Sequence, residues 1–406
     1  MTYDVCIVGA GLVGLSVGRA LHAARPGIRI VMVDKEPTVA AHQSSHNSGV
    51  AHSGLYYRPG SLKAKLCVAG RRELEQFCLE HGVAFERSGK LVVATTADEI
   101  PALEELERRG IANGLRGLRR VESGEIGEIE PAVLGVAALH VPEAGVVDFP
   151  AVANRLAEAL AGEGAEVLTG HRVEAIRIGD GVSIVTGEKE IRARALVNCA
   201  GLHSDRVASL AGISSPVRIV PFRGEYYTLA PEMSHLVRAL VYPVPDPRFP
   251  FLGVHFTRGI DGKVEVGPNA VMALGREHYR GSKPNWGDVK DTLAAPGFRR
   301  LARKHWRTGA AELIRSRSRR MYARSAQALV PEIKPEHLVD GGSGVRAQAV
   351  SPEGSLVDDF VIEETGPTVH VLNAPSPGAT ASLAIGAYIA SLVTRHLPGL
   401  SGSQSV

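Results

Sequence analysis

The spacing of apolar residues changes period twice within the first 35 positions. Residues 5–8 form a short unbroken apolar run, residues 11–23 repeat apolar positions at helical spacing, and residues 28–33 are again apolar and end on Asp34. That order predicts a buried parallel strand, a helix and a second buried strand, a βαβ unit. Further on, the same criteria predict helices over 61–82, 100–110, 151–162 (capped by Asp148) and 204–211. Strands are predicted over 89–95, 137–141, 173–178 and 195–201. A run of them follows over 217–229, 240–242, 251–257 and 263–267, with proline-rich connections at 243–250. Residues 35–57 and the acidic stretch 122–131 lack periodicity and read as loops, and 341–348 reads as a glycine-rich turn with one arginine. A last strand over 369–373 leads into a small-residue turn, 374–379, that opens a helix running to 394, and a Gly/Ser-rich tail from 398 reads as disordered.

The first turn carries chemistry. Gly9 permits the tight passage from strand to helix, Gly11 lets the backbone approach a pyrophosphate, and Gly14 lets helix and strand pack closely. Asp34 stands where a carboxylate accepts the ribose hydroxyls of an adenosine and repels a 2'-phosphate. Gly-x-Gly-x-x-Gly alone is a common turn; strand, helix, strand and terminal acid together point to a dinucleotide, FAD or NAD. Residues 374–379 repeat the logic, because a second helix N-terminus there faces a ligand.

Composition adds bounds. A chain of 406 residues, 44% hydrophobic and 22% charged, suits a globular enzyme of two to three domains. A formal charge of +3 gives no case for nucleic acid. Cys6, Cys67, Cys78 and Cys199 show no paired spacing, so free thiols in a reducing compartment are expected and a metal site is not. The fold starts within a few residues of Met1, which leaves no room for a targeting peptide, and no apolar run reaches the roughly 18 residues of a spanning helix. A cytoplasmic protein is expected. Residues 288–324 carry about ten lysines and arginines against few acids, a face suited to solvent and also to the inner face of the cell membrane.

The loop 35–57 contains His42, His46 and His52 without a carboxylate or cysteine at metal-ligand spacing. A loop of this length inside a compact domain wraps a ligand. His52 follows Val50 and Ala51, which suggests burial, whereas His42 reads as solvated.

Four stretches together carry a family resemblance: His46-Asn47-Ser48-Gly49-Val50-Ala51-His52-Ser53-Gly54, the segment from Tyr242-Pro243-Val244-Pro245 to Val254-His255-Phe256-Thr257, Gly344-Val345-Arg346-Ala347-Gln348, and Leu372-Asn373-Ala374-Pro375-Ser376-Pro377-Gly378-Ala379-Thr380. With them the chain, from Asp4 to about Arg395, resembles the FAD-dependent oxidoreductases of the D-amino-acid-oxidase superfamily, and more narrowly the L-2-hydroxyglutarate oxidases and dehydrogenases. Ser53, Gly378 and Ala387 depart slightly from that pattern without removing a chemical group.

The resemblance implies an α/β (α+β) fold with a Rossmann-like FAD-binding domain (1–82, 145–213 and 332–398) and an interleaved, mostly antiparallel substrate domain (83–144 and 214–331), followed by a tail, 399–406. It implies FAD held by Gly9, Gly11, Gly14, Asp34, Lys35, Ser45, Asn47, Ser48, Val173, Ala200, Gly201, Gly344, Arg346, Pro377, Gly378, Ala379 and Thr380. The implied reaction is oxidation of L-2-hydroxyglutarate to 2-oxoglutarate, with oxygen or a quinone or other carrier as the final acceptor.

Such a reaction needs a base, fixed cations and an aimed C2 hydrogen. His255 and His52 are the candidate base and its partner, with His255 favoured because it lies in the most restrictive stretch. Arg346 leads for the carboxylates, ahead of Arg223 and Lys65, with Tyr242 alongside. An amine or amino-acid oxidase on the same scaffold, or an oxidase of a related 2-hydroxy acid, is the alternative.

Overall fold

A computed structural model describes residues 2–187, 189–245 and 253–397. Most of the connection 243–250, the start of the strand expected at 251, and the tail from 398 lie outside the described residues.

The opening strand, Thr2–Val8, alternates its buried residues between two cores. Val5 and Ile7 face one that includes Leu15 and Leu156, while Cys6 and Val8 face another that includes Ile184 and Leu196. Being covered on both sides explains the unbroken apolar run. Thr2–Val8 pairs in parallel with Ile30–Val33 on one edge and Lys189–Asn198 on the other, and Thr368–Asn373 joins the latter, also in parallel. Among the described residues the sheet has eight strands, completed by Glu166–Leu168, by the hairpin Ala175–Gly179 and Gly181–Thr186, and by Val361–Thr365. Helix Leu12–Ala24 packs against helices Phe149–Gly162 and Ser382–Thr394. The second contact is so close that a Cβ on Gly386 would collide with Ser16. Asp148 caps Phe149–Gly162 by accepting from Ala151 N at 3.0 Å, and Ser61 caps Leu62–His81 through Ala64 N at 3.1 Å.

Among the described residues the second sheet has nine strands and is largely antiparallel. At its centre Lys90–Ala94 runs parallel to Leu240–Pro243, which pairs antiparallel with His255–Arg258, and this in turn with Val264–Gly267. Its longest pair is Arg218–Leu229 against Leu338–Val350. That pair corrects two expectations: residues 341–348 are strand rather than turn, and 338–350 belong to the second sheet rather than with the segments around the dinucleotide turn. Gly341 and Gly344 mimic a turn signal because the strand runs tight against the backbone carbonyls of Tyr226 and His46, where a Cβ has no room.

The acidic stretch 122–131 contains a helix, Ser123–Ile129, started by a capping box between Glu122 and Glu125. The long first loop contains a short strand, Val50–Ala51, paired with Gly145–Val147. The basic stretch is three helices: Trp286–Ala294, Pro296–Ser316 and Arg319–Ala326. Among the described residues no helix is long and apolar enough to cross a membrane.

Candidate active site

The parallel strands of the first sheet all end at one cavity of about 1870 Å³, bounded on the far side by the second sheet. Val8 leads into Gly9, Val33 into Asp34, Asn198 into Ala200 and Gly201, and Asn373 into the turn at Pro377–Thr380, and all of these except Asn198 line it.

At one end lie the glycines. Gly9 has φ +104°, and a Cβ there would strike the Cys199 carbonyl; a Cβ on Gly14 would strike the Gly9 carbonyl. Gly11 begins the first helix, and Ser44 Oγ accepts from Leu12 N at 3.0 Å beside it. Asp34 accepts from Ala10 N at 2.7 Å and Glu36 N at 2.9 Å, so this carboxylate holds the turn, and each oxygen keeps further acceptor capacity. Lys35, Asn47, Ser48, Val173, Gly344 and Arg346 also line the cavity. Ser45 does not; its neighbour Ser44 does, because the loop is coiled by bonds from the Ser45 and His46 amides to the His42 carbonyl. At the second turn the helix begins at Ser382, later than expected, and residues 375–381 form tight turns. Thr380 Oγ1 accepts from His52 N at 3.1 Å and donates to Val50 O at 3.2 Å, tying that turn to the histidine loop.

The other end holds the candidate chemistry. His255 Nδ1 lies 2.9 Å from the Gly253 carbonyl, which can only accept; the proton is therefore on Nδ1, and Nε2 carries a lone pair. Its ring stacks on Tyr242 at 3.9 Å between centroids. Burial, countered by the Gly253 bond and reinforced by the charges of Lys90 and Arg346, pushes His255 down to about 3. His52 is likewise held well below the ordinary value by burial and then by Lys90, His255 and Lys63, and its Nε2 is 3.5 Å from Ser376 Oγ. Both imidazoles are neutral at pH 7, the form a base needs.

Arg346 lines the cavity beside Tyr226. Arg223 does not; its guanidinium is bound to Glu225 at 2.7 Å and to His278 Nδ1 at 2.7 Å. Lys65 is exposed and points away, whereas Lys63, two residues earlier on the same helix, is buried, lines the cavity and bonds Asp358 Oδ1 at 2.8 Å. Helical periodicity sets this: a two-residue step turns a side chain through about 200°.

Sequence reasoning passed over Ser44, Lys63, Tyr56 and Lys90. Tyr56 lines the cavity with a buried hydroxyl that has no hydrogen-bond partner among the described residues. Lys90 lacked any pattern signal, being the first residue of an otherwise apolar strand. At the rim, ligand atoms of Glu36, His42 and Glu277 lie within 4.8 Å of one another, with the Lys35 ammonium paired to both carboxylates.

A dinucleotide turn joined by one cavity to His52 and the buried His255 defines the class: the chain belongs to the FAD dependent oxidoreductase family, whose sequence pattern matches residues 4–392. Curated relatives are more particular. The chain is 48% identical over 388 residues, 95% of this chain and 97% of the relative, to the L-2-hydroxyglutarate dehydrogenase of Indibacter alkaliphilus. It is 42% identical to the mitochondrial L-2-hydroxyglutarate dehydrogenase of Homo sapiens (97% and 89% covered) and 41% identical to the L-2-hydroxyglutarate dehydrogenase of Escherichia coli (98% and 95%). Two solved structures share the fold. L-alpha-glycerophosphate oxidase from Mycoplasma pneumoniae, solved with FAD bound, has a TM-score of 0.79 at 23% identity, covering 97% of this chain and 95% of that one. Glycine oxidase from Geobacillus kaustophilus has a TM-score of 0.72 at 21% identity, covering 100% and 99%.

FAD fits these residues. The side-chain-free cradle of Gly9 and Gly11 opens on the cavity, the Asp34 carboxylate lines it at the end of the second strand, and the cavity continues past the second turn to the histidines.

Proposed function

We propose that this protein oxidises L-2-hydroxyglutarate to 2-oxoglutarate with FAD as cofactor. The observation that carries this reading is the continuity of a single cavity from the Gly9–Asp34 turn to His52, His255 and Arg346. The relatives at 41–48% identity support the substrate. FAD, when bound, supplies the acceptor for the hydride that leaves C2.

The chain does the rest. His255 Nε2, held in its acceptor tautomer by Gly253, takes the hydroxyl proton, and His52 orients the hydroxyl. Arg346 binds a carboxylate as a planar fork, and Tyr242 holds the His255 ring flat. Gly9, Gly11, Asp34 and Lys35 serve the adenosine and pyrophosphate. Asn47, Ser48, Val173, Ala200, Gly201, Gly344 and the turn Pro377–Thr380 line the remainder. The segments of the first sheet hold the cofactor, and the second sheet supplies the substrate-facing side. Electrons leave to a quinone or similar carrier, or to oxygen. The basic helices support a carrier met at an anionic membrane surface, because exposed Trp306, Leu313 and Ile314 accompany the arginines.

Anaerobic mixing of the holoenzyme with each enantiomer of 2-hydroxyglutarate, and with L-glutamate, tests the assignment through the flavin absorbance band. Bleaching by the L-hydroxy acid alone is expected. Bleaching by L-glutamate instead would move the protein to the amino-acid oxidases. Peroxide yield in air against reduction of a soluble quinone, and sedimentation with anionic vesicles, test the acceptor and the membrane contact.

A further inference from the structure

Lys90 is 1% exposed, and among the described residues no carboxylate pairs with it. Its Nζ rests 4.1 Å from the centre of the Tyr242 ring and 5.3 Å from that of Tyr56. Both rings line the cavity, Lys90 lies behind them rather than on the cavity wall, and Tyr242 stacks directly on His255. An ammonium kept out of water without a counter-ion is costly, and two aromatic faces offset only part of that cost. Such an arrangement persists where function calls for it, and the hydroxyl of Tyr56, whose ring lies near the Lys90 ammonium, is buried without a hydrogen-bond partner among the described residues.

The substrate read above is a dianion. Arg346 answers one carboxylate, and Lys63 is already neutralised by Asp358. We propose that Lys90, acting through its charge from behind the Tyr56 and Tyr242 rings, makes this part of the cavity wall the positive subsite for the second carboxylate, so that the site selects dicarboxylic over monocarboxylic hydroxy acids. This rests on the preceding reading of the substrate class.

The surroundings of Lys90 add a signature. Burial pushes it down to about 7, with a small opposing effect from the Cys67 thiol. The groups facing it are Tyr56, Cys67 from helix Leu62–His81, Tyr242 from the neighbouring strand, and His52 and His255, whose basicity its charge lowers. Arg71, which also acts on Cys67, is paired with Glu143 at 2.8 Å. An anion bound close by stabilises the protonated lysine, so ligand binding above pH 7 draws a proton from solvent through Lys90.

The test uses holoenzyme and two unreactive probes of one chain length, glutarate and valerate, titrated by flavin absorbance and by calorimetry in buffers of different ionisation enthalpy. The wild type is expected to bind glutarate well ahead of valerate and to take up protons at pH 8. Lys90→Met is expected to weaken glutarate by about 10- to 100-fold, to leave valerate within about threefold and to abolish the Lys90 part of the proton uptake, while Lys90→Arg retains the preference. Lys90→Gln serves should the methionine variant not retain flavin. Equal losses for both probes, or unchanged glutarate binding and proton uptake, would overturn the role of Lys90. A wild type indifferent to the second carboxylate would instead overturn the substrate reading beneath it.

Discussion

Asp205 is fully buried on helix Ser204–Leu210, just after the Gly201 turn, and grips Arg276 from the far side of the cavity. Arg276 Nη2 donates to it at 2.9 Å, Nη1 donates to it and to the Leu202 carbonyl, and the Ile219 and Arg206 amides add bonds at 3.1 and 2.9 Å. Burial works to raise the Asp205 pKa, but the Arg276 bonds and the amides outweigh it and hold the group below its ordinary value. Asp205→Ala therefore strands a guanidinium that is 5% exposed and cannot shed its proton. Removing one partner of a buried pair costs about 3–5 kcal/mol, or roughly 4–6 °C in a chain of this size. Arg276→Met should cost less, because the stranded carboxyl can neutralise itself by protonation. Asp205→Leu with Arg276→Met should cost less than the sum of the single changes. Thermal melting of the holoprotein, followed by flavin release and by circular dichroism, measures all three. The reasoning is refuted if Asp205→Ala melts within about 1–2 °C of wild type, since a pair that loose would not join the two walls of the cavity.

Other expectations follow from the same geometry. His255→Gln should lower the limiting rate of anaerobic flavin reduction by about 10²–10⁴-fold with little change in apparent substrate affinity, and equal rates would remove the base assignment. Arg346→Lys should weaken a dicarboxylate by about 10-fold or more, because the planar fork is lost; unchanged affinity in a titration would refute that role. Gly14→Val should purify without flavin, as its side chain would meet the Gly9 carbonyl. Burial holds His370 down to about 4, His255 to about 3 and His52 well below its ordinary value. The unfolded chain gains these protons from about pH 6.5 downward while the folded chain does not, so stability is full above that pH and falls below it by about 1.4 kcal/mol per pH unit for each group. His370→Asn should flatten that slope in urea melts between pH 7 and 5, and an identical slope would contradict it.

Legibility followed the range of the forces involved. The opening βαβ unit could be read because its strand pairs, helix and glycines act over short separations, and Gly9, Gly11, Gly14 and Asp34 lie where the pattern puts them. The strand Leu338–Val350 was misread because its glycines answer backbone from Tyr226 and His46, hundreds of residues earlier in the case of His46. Lys63 was missed for Lys65 because only the docking of helix Leu62–His81 decides which of two nearby lysines turns inward.

Order and chemistry of the local pieces were determined by sequence alone: two small-residue turns after buried strands, a histidine loop, and a restrictive segment containing His255. Patterns of period 2 and 3.6 specify which face of an element is buried, and a glycine specifies where backbone comes close. Which charges remain available was decided only in three dimensions. Arg223 is cancelled by Glu225, Lys63 by Asp358 and Arg276 by Asp205, while Lys90 lies among aromatic rings without a carboxylate among the described residues. The physical reason is that a charge acquires its value from neighbours brought together by folding, and those neighbours carry no mark of proximity in the linear chain.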